Sequence, residues 1–289
     1  MRVWILAVAT ATIPLAEVCA QGTPQSYQFE LMGGLSLTTI DSNPDIDITE
    51  FGVGGTYYLD PVSLESHPWN EAAFLEHSKG VMVGLAYTDF EIGNFSADGP
   101  SIGAGFLYAD KEKPIAAQIN VGFGTLEGDA GIDIDQTNIG GWCGYWLKEN
   151  ALVGIEIDYE ELDGGGTFTL EELFFGGFGK IVYDLEEGRA INAEARVGAK
   201  NVDVGGVDDT NFVIGLEGDF YFTPQYSAGA LLNFSFGDSV ADEGVTIGVR
   251  GTAWFNERIS LSAQYATFSA SDNAGADEDE FGIFVTARF

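Results

Sequence analysis

The feature that most restricts this chain is a repeat of stretches, about ten to fifteen residues long, in which apolar and polar side chains alternate between segments of turn chemistry. Period-two alternation puts every second side chain on the same face of an extended strand. Between Val245 and Asn256, the residues Val245, Ile247, Val249, Gly251, Ala253 and Phe255 share one face, and Thr246, Gly248, Arg250, Thr252 and Trp254 share the other. The stretch from Arg189 sets Ile191, Ala193, Ala195 and Val197 against Asn192, Glu194, Arg196, Gly198 and Lys200. After the first twenty residues, no segment approaches the roughly 20 unbroken apolar residues of a membrane helix. Fourteen alternating stretches are predicted as strands, from Ser26–Thr39 to Glu280–Phe289. The 39 glycines, 21 phenylalanines and 11 tyrosines, spread along 289 residues, suit many strands and turns.

Alternation alone fits two architectures. A soluble sandwich buries its apolar face, whereas a membrane barrel turns that face to lipid and its polar face to the lumen. Strand length separates them, because sandwich strands average about 5–6 residues and lipid-crossing strands need roughly 9–11. The connections add a second distinction. Short turns such as Asp110–Lys113, Lys148–Asn150 and Glu257–Arg258 alternate with longer, acidic, glycine-rich segments. These longer segments are Asp41–Asp47, Gly93–Pro100, Gly128–Asp133, Asp203–Asp209, Gly237–Gly244 and Ala270–Asp279. Short periplasmic turns and longer external loops are the pattern of an outer-membrane barrel. The expected fold is therefore all-β, a transmembrane antiparallel up-and-down barrel of about 14 strands. One connection breaks the pattern. Asp60–Ser78 falls on the short-turn side yet is long, and Pro68–His77 within it reads as a short helix with proline in its first turn. No external loop is long enough to suggest the inward-folded constriction of trimeric general porins, so a monomer is expected.

The first twenty residues read as a cleaved signal peptide. Arg2 precedes an apolar run from Val3 to Ala16, and Val18-Cys19-Ala20 offers small residues for cleavage before Gln21. The expected division is thus 1–20 signal and 21–289 barrel. The rival reading, a lipoprotein modified at Cys19, is weakened by Glu17 and Val18 at the lipobox positions. Cleavage leaves only Cys143, too few cysteines for a disulfide framework. A net charge of −33 with no basic patch excludes nucleic-acid binding and favours cations.

Phe281, Ile283, Val285, Ala287 and Phe289 share one face of the last stretch. A terminal aromatic after alternating apolar residues resembles the signal read by the outer-membrane assembly machinery. Near the N-terminus, Tyr57-Tyr58-Leu59-Asp60-Pro61-Val62 is followed by Pro68 and then by Glu71-Ala72-Ala73-Phe74-Leu75. This segment resembles a family of bacterial outer-membrane porins. The resemblance implies a Gram-negative outer-membrane barrel and a pore, without assigning functional residues.

Catalysis is disfavoured because the two histidines, His67 and His77, both lie in the atypical connection and no strand supplies a base. His67, Glu71 and His77 match no metal-site spacing, and no metal or other cofactor is expected. The acidic clusters lack the glycine and closing glutamate of a calcium loop. Their expected role is solvation or divalent-cation bridging to lipopolysaccharide. The inward face is expected to carry Glu156, Asp158, Glu160, Lys180, Glu194, Arg196, Lys200, Glu217, Asp219, Arg250 and Arg288 as pore-lining groups. Charges at membrane depth are tolerated when they face a lumen or a partner. The expected function is passive diffusion of small solutes or cations, an ion-transporting porin. The alternative is a non-conducting surface or adhesin-like barrel.

Overall fold

The computed structural model describes residues 26–289 except 43, 66, 130, 167–168, 186–187, 238–242 and 271–275. The proposed signal segment, residues 1–20, lies outside the described residues. Fourteen strands follow one another: β1 Ser26–Asp41, β2 Ile46–Ser63, β3 Gly80–Ile92, β4 Phe95–Asp110, β5 Lys113–Gly128, β6 Asp133–Lys148 and β7 Ala151–Asp163 complete the first half. The second half is β8 Thr169–Asp184, β9 Ala190–Val204, β10 Val207–Thr223, β11 Tyr226–Gly237, β12 Gly244–Asn256, β13 Ile259–Ala270 and β14 Asp277–Arg288. Each strand pairs antiparallel with its neighbours in sequence, and β1 pairs with β14 to close the barrel. Closure removes the sheet edges, so every strand can satisfy its backbone groups without water. The closing seam runs from Glu30 opposite Arg288 to Asp41 opposite Asp277.

The register carries the alternation consistently around the barrel. Outward positions are apolar and exposed, among them Val81, Val83 and Leu85 on β3, Val153, Ile155 and Ile157 on β7, and Phe281, Ile283 and Val285 on β14. Exposed aromatics sit near both ends of the outer face. Tyr57, Tyr145, Tyr183, Phe222 and Phe255 lie toward the end that holds Ser26 and Phe289, and Tyr87, Phe212 and Phe236 toward the far end. Two such girdles flanking an apolar band fit a strand surface that faces lipid between two interfaces. Phe289 completes the seam, accepting from the Gln28 and Phe29 amides through its carbonyl at 2.8 and 3.1 Å.

Two of the longer loops predicted from sequence are strand instead. Gly93–Pro100 contributes only the turn between Ile92 and Phe95, and Asp203–Asp209 only the turn between Val204 and Val207. Gly205 and Gly206 hold φ of 61° and 88°, the paired positive values that a tight two-residue hairpin turn demands. Acidic composition misleads here because these strands continue past the apolar band, where outward carboxylates remain hydrated. Pro100 is accommodated at a gap in the ladder, since the β4–β5 pairs pass from Asp98 to Ser101.

Candidate functional site

The interior is organised by the atypical second connection. Pro68 opens a 3₁₀ turn, Trp69–Glu71, which runs directly into a one-turn α-helix, Ala72–Leu75. This is shorter than the helix predicted over Pro68–His77. The turn that follows it closes at His77, whose φ of 49° is the only positive value at a non-glycine residue among the described residues. That cost is offset locally, because the His77 ring stacks on Trp146 at 3.8 Å and its Nε2 lies 2.9 Å from the Glu149 carbonyl oxygen.

The segment leaves β2 and crosses the lumen to the opposite wall. Glu71, 5% exposed, accepts from Tyr221 Oη of β10 at 2.9 Å and from Asn192 Nδ2 of β9 at 3.0 Å, and pairs with Lys180 Nζ of β8 at 3.0 Å. A buried carboxylate is tolerable only when paired and hydrogen-bonded, and here three donors converge on one group. Around this lock, the Trp69 amide donates to the Pro224 carbonyl at 3.0 Å, and Trp254 Nε1 donates to Asn70 Oδ1 at 2.7 Å. Apolar packing holds both flanks. Trp69 and Ala72 join Tyr27, Tyr58, Val62, Leu64 and Trp254, while Phe74 packs against the cluster of Ala109, Ala116, Trp146 and Leu152. Where no external loop was expected to fold inward, an inward-folded segment comes from the other end of the barrel.

His67, Glu71 and His77 are not brought together. His67 Nε2 lies 3.0 Å from Glu76, Glu71 faces the far wall and His77 faces Glu149. No cluster of three metal-ligating side chains occurs among the described residues. Glu76 also pairs with Lys111 at 2.6 Å. Partial burial opposes ionisation of Glu76, but the hydrogen bonds from Lys111 and His67 prevail and hold its carboxyl below the usual glutamate range.

All eleven expected lumen residues occupy inward register positions. Glu156, Asp158 and Glu160 follow one another on β7 opposite inward residues of β6 and β8. Lys180 faces Glu194, Glu194 faces Glu217, and Asp219 lies between Asn192 and Gly229. Arg250 of β12 reaches back to Glu217 and Asp219 of β10. Its Nη1 meets Glu217 at 2.7 Å, and its Nε and Nη2 grip Asp219 at 2.8 and 2.6 Å. Lys200 pairs with Glu172 at 3.1 Å. Arg288 pairs with Glu30 at 2.6 Å and lies over the rings of Tyr27 and Trp254. Lys180, Glu194, Glu217, Asp219 and Arg250 meet Glu71 around one cavity of about 300 Å³, whereas the β7 acids, Arg196, Lys200 and Arg288 lie outside it. Sequence reasoning weighed Glu71 only as a metal ligand, placed Asn192 on an inward face without a role, and did not single out Tyr221. Their only signal was a charged residue beside Trp69 and Phe74 in a connection too long for its side of the barrel.

The outer face carries a further pattern near the far end. Outward acids stand directly opposite one another across successive strand pairs: Asp47 and Glu91, Asp89 and Asp98, Asp98 and Glu127, Glu127 and Asp133, Asp135 and Asp163, Glu161 and Glu171, and Glu171 and Asp203. Opposed like charges destabilise a sheet unless water or counterions screen them. Tyr87 of the girdle donates to Asp98 in this belt, and Tyr265 of β13 donates likewise to the outward Asp279 of β14 at 2.6 Å.

No protein-family model and no curated protein matches the chain. Solved structures do. The Acinetobacter baumannii outer membrane protein Omp33 aligns over 92% of this chain and 99% of its own, with a TM-score of 0.57 and 19% identity. A deletion mutant of the TodX monoaromatic hydrocarbon channel aligns over 92% and 91%, with a TM-score of 0.54 and 9% identity. The β domain of the Bordetella autotransporter BrkA aligns over 91% and 100%, with a TM-score of 0.50 and 11% identity. At these identities the likeness speaks to fold, and the fold of this chain is that of the bacterial outer-membrane β-barrels.

Proposed function

We propose that this chain is an outer-membrane channel for small hydrophilic solutes, narrowed at its periplasmic end by the inserted connection and favouring cations. The observation that supports this best is the interior itself. A wall of acidic and basic side chains lines a cavity above the inserted segment, where a barrel serving only as scaffold would be filled by apolar side chains. Four acids border the cavity against Lys180 and Arg250, an imbalance that concentrates cations in a low-dielectric passage. In this reading residues 1–20 direct export, the end holding Ser26 and Phe289 faces the periplasm, and the outward face ending at Phe289 guides assembly. The acidic belt then lies at the external interface, where divalent cations bridge it to lipopolysaccharide phosphates. Chelation should loosen lipopolysaccharide from the purified protein, and retention undiminished by chelator would sink that bridge.

The deciding experiment is single-channel recording in a planar bilayer under a salt gradient, with the wild-type chain and a variant in which residues 64–78 are replaced by a short turn. Small steps that reverse toward cation selectivity, and larger steps in the variant, are expected. Silence from both folded proteins would refute the channel. A second reading, a non-conducting barrel acting through its surface, draws on the Glu71 lock, which holds the connection across the lumen.

A further inference from the structure

The acids bordering the cavity above the inserted segment outnumber the cations by two, and its wall holds one orphaned acceptor. Asn192, 3% exposed, donates from Nδ2 to Glu71 Oε1 at 3.0 Å and to Asp219 Oδ2 at 3.4 Å. Both partners are carboxylates, which only accept, so the amide nitrogen must face them and the amide orientation is determined. The opposite atom, Asn192 Oδ1, is buried with no hydrogen-bond partner. Leaving a buried acceptor unmet is costly, and native structures rarely do so without a ligand, ion or water to fill the position.

The charges around that atom are also unbalanced. Lys180 stands opposite Glu194 in register, but its ammonium bonds Glu71 instead. Among the described residues no donor reaches Glu194 within hydrogen-bond distance. Glu194 in turn stands opposite Glu217, a like-charge pair of which only Glu217 receives Arg250. Asn192 and Glu194 are same-face neighbours two residues apart on β9, roughly 7 Å along the strand. The wall of the cavity thus holds the orphaned Asn192 amide oxygen beside the Glu194 and Glu217 carboxylates, acceptors of the kind a primary ammonium group satisfies.

From this geometry we infer that the cavity is a binding station for a small organic cation bearing a primary ammonium group. A bare metal ion fits less well. The volume of about 300 Å³ matches a small organic molecule, Lys180 and Arg250 repel a concentrated double charge, and Phe284 and Ala263 supply an apolar wall for a carbon chain. The inference deepens the channel reading by naming the solute class that its narrowest chamber selects, and it rests on that reading for its transport role.

The test is titration calorimetry of the refolded chain in detergent at low ionic strength with 1,4-diaminobutane, and with 1,4-butanediol and succinate as neutral and anionic counterparts. One saturable site for the diamine and none for the other two is expected. Glu194→Gln, which removes a charge no donor holds, should weaken diamine binding about tenfold while heat-modifiable gel mobility stays that of wild type. Glu217→Gln should act in the same direction. Absence of saturable diamine binding, equal binding of the diol, or an unchanged affinity in a folded Glu194→Gln protein would overturn the station. Calorimetry does not require conduction. Binding with a silent bilayer would therefore reject the channel and keep the station, and conduction without binding would reject the station alone.

Discussion

Glu71→Gln is the most informative single change, because one carboxylate joins the inserted connection to three strands of the far wall. The variant keeps the shape and one acceptor but loses the charge that faces Lys180 at 3.0 Å and that Tyr221 and Asn192 address at 2.9 and 3.0 Å. Breaking a buried ion pair from one side typically costs about 3–5 kcal/mol, much of it from the charge left behind. Lys180 keeps Glu194 opposite it in register, which places the expected loss near the lower bound, about 3 kcal/mol. At 1.4 kcal/mol per tenfold, that is about a hundredfold or more in the docking equilibrium of the connection. The barrel ladders are untouched, so the loss falls on docking. The assay pairs limited proteolysis of the 64–78 segment with single-channel recording. Faster cleavage within an otherwise resistant barrel is expected, together with frequent excursions to a larger conductance. The double variant Glu71→Gln/Lys180→Met removes both charges and should recover part of the loss, as a coupled pair requires. Cleavage and conductance identical to wild type in a folded Glu71→Gln protein would show that the apolar flanks alone hold the segment.

Further expectations rest on separate contacts. Arg250→Met strips the bridge from Glu217 and Asp219, so thermal stability should fall by about 1–3 kcal/mol and the reversal potential should move further toward cations; movement toward anions would contradict the charge assignment. Glu76 is held ionised by Lys111 and His67, a lowered folded-state value, so its contribution is present above the usual glutamate range and is lost as pH falls through the lower folded-state value. Proteolysis of the connection should accordingly accelerate on acidification in wild type, and a Glu76→Gln protein should lack that component. Gly198 gives room to the Phe174 ring, whose Cζ lies 2.5 Å from where a Cβ would stand, and the Phe175 carbonyl crowds the same point at 2.6 Å. Gly198→Val should therefore overpack the wall and lower stability by about 1–3 kcal/mol, measured as the temperature at which heat-modifiable mobility is lost.

What the sequence determined by itself is the barrel. Alternation at Val245–Asn256 or Arg189–Val202 decides which side chains face in, because a one-residue slip would exchange the two faces of a strand. The strand count and the inward positions of residues such as Glu194, Arg250 and Arg288 follow from that local rule. Strand ends were less legible at Gly93–Pro100 and Asp203–Asp209, since acidic composition reports exposure and a strand beyond the lipid band is as exposed as a loop. Tertiary structure alone decided what occupies the lumen. Glu71 meets Asn192 and Tyr221 across sequence separations of 121 and 150 residues, and only barrel closure places β9 and β10 across from the β2–β3 connection. Periodicity describes a strand and its neighbours. A contact across the diameter depends on the number of strands and the path of one irregular segment, and no local pattern records it.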